Sequence, residues 1–185
     1  MSEALITKKA IAQGLKELTM TKPFHKITVS DITNICGLNR QTFYYHFQDK
    51  YELLNWIYYN EGFLPVIDGI TLDNWDEKLV NLFAHMKEEQ IFFSNTIKSD
   101  ETCFKEYLFN ITVTLFEEAI AAVDVHHALV PEDQKFFASY FAYGICGTVI
   151  SWVEHGMKEA PEHLAKRLKY LATSCEKLAY ERFLT

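Results

Sequence analysis

Only 7 Gly and 4 Pro interrupt 185 residues, and that scarcity, with long stretches of Leu, Ala, Glu, Lys and Phe, favours an all-helical chain. The breakers also fall in few places. Pro23 cannot sit in a helix interior, because it lacks an N–H and crowds the preceding turn. Gly37 stands alone between two short apolar-periodic runs. Gly62 and Pro65 disturb a fourth, and Gly156 with Pro161 marks a late break. Between them, apolar residues recur at helical spacing, as in Ala4, Leu5, Ala10, Ile11, Leu15 and Leu18. The expectation is an all-α fold of about nine helices.

Capping signals place the starts. Thr28 is an N-cap, and Asp31 three residues on completes a capping-box variant with Asp instead of Glu or Gln. The second helix then spans about Val29 to Cys36. Asn39 caps a short third helix over Arg40 to His46, and Asp49 with Glu52 caps a fourth through Leu53, Leu54, Ile57 and Tyr58. The spacing predicts further helices over 73–88, 89–97, 102–123 and 132–155, and a last one from Pro161 to about Phe183.

Net charge is −7, which argues against nucleic acid only if charge is spread evenly. It is not. Residues 1–60 carry seven Lys or Arg and five acids, whereas the remainder carries eleven and twenty. A mildly basic head precedes an acidic body, and phosphate binding needs only a local positive face.

Several function classes find no support. No G-x-S-x-G, phosphate loop, H-E-x-x-H or dinucleotide fingerprint occurs, so no catalytic residue is assigned. His126 and His127 are adjacent and would point apart on a helix. His155 and Glu159 are interrupted by Gly156. No metal site and no cofactor is expected. The four cysteines (36, 103, 146, 175) form no C-x-x-C pair, and three lie in apolar helical patterns as small hydrophobes. No secretory leader and no apolar run near the roughly 18 residues of a membrane span is evident, so a reducing cytoplasm and no membrane contact are expected.

The pair of helices around Gly37 is the informative element. Ile32, Cys36, Leu38 and Phe43 have the spacing to knit the pair together, and Gly37 supplies a tight turn. The second helix of the pair then exposes Arg40, Gln41, Thr42, Tyr44, Tyr45 and His46. Arg can bond guanine bidentately, Gln can do so with adenine, and a Thr methyl can touch thymine. Tyr hydroxyls suit phosphates. Phe43 and Phe47 are expected in the core. The residues alone leave open both a DNA-reading helix-turn-helix and a plain helical hairpin.

The run Ile27-Thr28-Val29-Ser30-Asp31-Ile32, continued by Gly37-Leu38-Asn39-Arg40-Gln41-Thr42-Phe43-Tyr44-Tyr45-His46-Phe47 and Asp49-Lys50-Tyr51-Glu52-Leu53, resembles the signature of the TetR family. That resemblance implies an all-helical homodimer with a three-helix DNA-binding head, here 1–48, and a regulatory and dimerisation body, here 49–185. It implies a double-stranded, palindromic DNA partner. By matching position, Arg40, Gln41, Thr42 and Tyr44 resemble residues facing bases and phosphates, and Tyr45 and His46 resemble backbone contacts. Thr28 and Lys50 resemble phosphate clamps at helix N-termini. Thr33 departs from the pattern, since a smaller residue is usual there. The stretch from Phe137-Ala138-Ser139-Tyr140 to Trp152-Val153-Glu154-His155-Gly156 is similar to the subgroup that includes regulators of dihydroxyacetone kinase operons. There the resemblance implies an activator working with a kinase-like co-regulator protein. A metabolite-responsive repressor with a small-molecule effector is the alternative.

Two body features are expected from the residues. Leu164, Leu168, Leu171, Cys175 and Leu178 form a heptad-like seam on the last helix. The helix before it presents Tyr140, Gly144, Gly147, Thr148 and Ser151. Two Gly inside a helix cost about 1 kcal/mol each relative to Ala, which a close helix contact would justify. Both faces are expected at a four-helix dimer interface, the alternative being packing within one subunit. Among the aromatics, His85, Tyr107, Asn110 and Tyr143 either line a small-molecule pocket or are satisfied core polar groups.

Overall fold

The computed structural model describes residues 2–71, 73–124 and 129–183, the side chains of 123 and 175–183 excepted. Every regular element among them is helical. In order these are α1 (Glu3–Thr19), a single 3₁₀ turn (Phe24–Lys26), α2 (Val29–Ile35), α3 (Arg40–His46) and α4 (Lys50–Ile57). A π-helical segment (Tyr58–Phe63) and α5 (Leu64–Ile67) continue α4 without a break. There follow α6 (Trp75–Glu88), α7 (Gln90–Ser99), α8 (Thr102–Val123), α9 (Pro131–Glu154) and α10 (Pro161–Phe183). With α4 to α5 taken as one rod, the described residues form nine helices.

The head forms where the caps predict. Thr28 Oγ1 accepts from the Asp31 N–H at 3.2 Å, and Asp31 Oδ2 accepts from the Thr28 N–H at 2.7 Å. Asn39 Oδ1 accepts from the Thr42 N–H at 2.7 Å, and Asp49 Oδ1 from the N–H groups of Tyr51 and Glu52. The Glu52 carboxylate also accepts from the Gln48 N–H. Gly37 adopts φ +64°, the left-handed conformation expected of it. Ile11, Leu15, Phe24, Ile27, Ile32, Phe43 and Phe47 bury almost completely between α1, α2 and α3. Thr33 is buried without strain on the turn: its hydroxyl donates to Ser30 O at 3.2 Å while its own carbonyl receives the Leu38 N–H at 2.9 Å.

The fourth helix departs from expectation. Gly62 and Pro65 do not end it. The rod widens by one residue, and the Leu64 N–H bonds to Tyr59 O, five residues back. Pro65 then falls in the first turn of α5, where a missing N–H costs little. Such a π segment keeps a helix running past a residue that would otherwise break it.

In the body, α8 and α9 lie along one another and α6 packs on α10. A single cluster of buried side chains runs from Ile11 in α1 to Leu168 in α10. α9 corrects one sequence expectation. An 18-residue window of it has mean hydropathy 1.4, long and apolar enough by length and composition to cross a membrane. Its inner face, including Ala138, Ala142, Cys146, Val149 and Val153, is core.

Gly14 shows why α1 and α2 approach so closely. A Cβ there would lie 2.4 Å from Cys36 Sγ and 2.9 Å from Ile35 Cγ2. Overpacking costs about 1–3 kcal/mol, against a helix-propensity gain of about 1 kcal/mol for Ala over Gly. Gly14→Ala should therefore be net destabilising in chemical denaturation, and adding Cys36→Ala should recover part of the loss.

Asp31 generates a second test. Its carboxylate accepts from Lys22 Nζ at 2.6 Å and from the Thr28 N–H and hydroxyl, which together hold its pKa at about 2, below the ordinary 3.8. A depressed carboxylate contributes stability above its unfolded pKa and loses it as pH falls through the folded one. Thermal stability should thus drop between about pH 4 and pH 2. Asp31→Asn should flatten that part of the profile.

Candidate nucleic-acid interface

α3 carries its apolar side inward and a polar side outward. Phe43 is fully buried, and Phe47, just beyond the helix, nearly so; both are core as the sequence implies. Arg40, Gln41, Tyr44 and Tyr45 are exposed, Tyr45 at 83 %; Thr42 and His46 are half-buried. The outward groups are partly ordered against each other. Arg40 Nη2 donates to Tyr44 Oη at 3.3 Å, with its guanidinium 5.9 Å from the ring centroid. The Thr42 hydroxyl donates to Asn39 Oδ1 at 3.0 Å, and Tyr45 meets His46 edge-on. An Arg laid along an aromatic ring loses less freedom when it later grips a planar acceptor.

Thr28 and Lys50 are engaged internally. The Thr28 hydroxyl donates to Asp31 Oδ2 at 2.8 Å. Lys50 Nζ donates to the carbonyls of Phe24, His25 and Ile27 at 2.9, 3.1 and 2.9 Å, above the Phe24 ring. Three protons meet three acceptors. Partial burial lowers its pKa somewhat. Lys50 thus braces the segment between α1 and α2.

Two contacts that sequence reasoning missed tie the head to the body. Asn95 of α7 accepts from the Phe24 N–H at 2.8 Å and donates to Thr19 O and Lys22 O at 2.8 and 3.0 Å. Lys16 of α1 pairs with Glu61 of the π segment and, at 2.7 Å, with Glu89 between α6 and α7. A polar Asn between Phe93 and Ile97 was the available signal: a side chain there needs partners.

The second expected surface is split. On α9, Tyr140 (68 % exposed), Gly144, Gly147, Thr148 and Ser151 all face outward, joined by Phe136, Phe137 and Tyr143. On α10 the expected seam is corrected. Leu164 and Leu168 are only 2 % and 5 % exposed, and belong to their own subunit's core, so they cannot face a partner. Leu171 of the same seam does face outward, beside Tyr170. The side chains of Cys175 and Leu178 lie outside the described residues, as do His126 and His127. The four residues expected at a pocket differ in their surroundings. Asn110 and Tyr143 are exposed, and Tyr107 packs on Tyr59 and Phe63. His85, beside Phe93, keeps a buried Nε2 without a protein partner.

Comparison with known proteins agrees with this architecture. Residues 11–57 match the family model described as bacterial regulatory proteins, tetR family, and residues 73–174 match that of a transcriptional regulator C-terminal region. The chain is 31 % identical over 150 residues, 79 % of each protein, to the HTH-type dhaKLM operon transcriptional activator DhaS of Lactococcus lactis subsp. lactis. A solved structure of the dihydroxyacetone kinase operon activator DhaS superposes with TM-score 0.73 at 27 % identity, covering 94 % of this chain and 98 % of that one. NalD of Pseudomonas aeruginosa, the secondary repressor of the MexAB-OprM multidrug efflux pump, shares the fold at TM-score 0.57 and 16 % identity, with 90 % and 94 % covered. An N-terminal helix-turn-helix, an all-helical body and a DhaS-like relative over most of the length have one common meaning: the chain belongs to the TetR family of transcriptional regulators.

Proposed function

We propose that this regulator activates transcription of a dihydroxyacetone kinase operon by binding a palindromic duplex as a homodimer. The observation that carries the reading is the exposed face of α3, held by the Asn39 cap and the buried Phe43, on a chain similar to DhaS over 79 % of its length. Arg40, Gln41, Thr42 and Tyr44 contact base edges and nearby phosphates, and Tyr45 and His46 contact the backbone. Thr28, with its hydroxyl proton held by Asp31, caps α2 and leaves the first-turn N–H groups that the cap does not use to meet phosphate. Lys50 acts mainly by holding the residues around it in place. The division at about residue 48 separates the part that meets DNA from the part that receives the signal. A cytoplasmic location follows from the DNA partner.

The signal is proposed to arrive through a kinase-like co-regulator protein. The dispersal of His85, Tyr107, Asn110 and Tyr143 favours a protein signal over a metabolite lodged among those four. FadR of Thermus thermophilus, a repressor solved with lauroyl-CoA, shares the fold at TM-score 0.54 and 12 % identity and represents the alternative, a metabolite-responsive repressor. Deleting the gene decides between them: reporter transcription from the operon promoter falls for an activator and rises for a repressor.

On DNA, the affinity for the operator should fall linearly in log–log form as salt rises, because phosphate contacts release counterions. Arg40→Ala should cost about 1–3 kcal/mol and relax preference at one base position, measured by fluorescence anisotropy.

The dimer face predicts a clean separation of folding from assembly. A Cβ at Gly147 meets nothing within 4 Å in the subunit. Gly147→Arg should therefore keep its helicity by circular dichroism and sediment as a monomer, where the wild type sediments as a dimer.

A further inference from the structure

The segment joining α1 to α2 is gripped from both sides. From the body, Asn95 spends both amide protons and one oxygen lone pair on it: Oδ1 takes the Phe24 N–H, and Nδ2 reaches Thr19 O and Lys22 O. The amide can sit only one way round, since a flip would set its N–H groups against an N–H and its oxygen against two carbonyls. One of these partners, Thr19 O, is the last carbonyl of α1, which a helix C-terminus leaves without an intrahelical donor, and Lys22 O lies in the turn beyond it. A distant helix thus supplies the C-terminal cap of α1. From the other side, Lys50 takes the carbonyls of Phe24, His25 and Ile27. Phe24 is held through both its N–H and its C=O.

The gripping helix is itself fixed. Thr96, next to Asn95, accepts a hydrogen bond from Tyr58 Oη at 2.7 Å and donates to Phe92 O at 2.8 Å, fully buried. Tyr58 opens the π segment and stacks on Phe93. At its N-terminal end, α7 follows Glu89, which pairs with Lys16 of α1. Displacement of α7 along its axis therefore carries the 19–24 backbone with it, and α2 and α3 follow through the shared core.

From this we infer that Asn95 is the positioning residue that sets the pitch of the DNA-binding head on the body, and thereby the half-site spacing that the dimer accepts. The inference rests on the DNA-binding homodimer proposed above. Two heads on one dimer must engage grooves about one helical turn apart, so a rigid head tolerates little change of spacing.

The test starts from the duplex that the full-length wild-type protein enriches from a random-sequence library. Affinities are then compared for that duplex, for versions with one base pair inserted or removed at its centre, and for a single half-site. Wild type should lose about a hundredfold on the mis-spaced duplexes, because bivalent engagement fails. Asn95→Ala should lose less than about tenfold on them, while its half-site affinity stays within about threefold of wild type. Asn95→Asp, which keeps the volume and the Phe24 acceptor but no donor, should behave likewise and covers the case in which the Ala variant does not fold. Thr112→Val removes a buried hydroxyl bond of α8, Thr112 to Leu108 O at 2.7 Å, outside the α7 contact with the head, and should keep the wild-type spacing penalty. The inference is overturned if the Asn95 variants keep that penalty, or if Thr112→Val relaxes it equally. A wild-type protein that enriches no sequence would instead sink the DNA reading, and the positioning role with it.

Discussion

Nine residues of backbone between the end of α1 and the start of α2, from Thr19 to Ile27, carry the mechanical connection of this molecule. Asn95 reaches them from α7 and Lys50 from α4, and between them the two side chains hold three backbone groups each. Loop backbone this close to the core would leave polar groups without water, so it persists only because side chains supply the missing partners. Phe24 is the pivot. Its ring is buried in the head, its N–H belongs to Asn95 and its carbonyl to Lys50.

Within the head, local and tertiary constraints agree. The capping box at Thr28, the left-handed Gly37 and the Asn39 cap each define a boundary of α2 or α3 from a few neighbouring atoms. Gly14 then lets α1 approach α2 until only hydrogen fits at that position. The Cys36 thiol donates to Ala10 O at 3.4 Å across the same contact, and burial raises its pKa. Its role is that of a small packed side chain, in keeping with the apolar pattern around it.

The body separates two kinds of apolar surface that look alike in one dimension. α9 buries one side on α8 and leaves Phe136, Tyr140, Tyr143 and its two glycines outward. α10 turns Leu164 and Leu168 inward, and Tyr170 and Leu171 outward. An open strip that holds Gly beside large aromatics suits a second helix at close range, since Gly lets the backbones approach while the rings cover the flanks.

The sequence by itself determined the helix starts, the Gly37 turn, the outward residues of α3 and the burial of Phe43 and Phe47. Each of these follows from contacts within one or two turns of the chain, where capping chemistry and a 3.6-residue period leave few choices. The tertiary structure decided the rest. Periodicity marked Leu164 and Leu168 as one side of a helix, but only the position of α6 shows that this side faces its own subunit. Pro65 signalled a break, and packing of Tyr58, Phe63 and Phe104 into one cluster carried the rod through it as a π turn. Spacing gave no sign that Asn110 and Tyr143 are exposed while His85 keeps a buried ring nitrogen. Asn95 and Lys50 are 71 and 26 residues from Phe24 in sequence. No local pattern records a partner so far away, because a side chain's hydrogen-bond partners are assigned only when the helices that carry them meet.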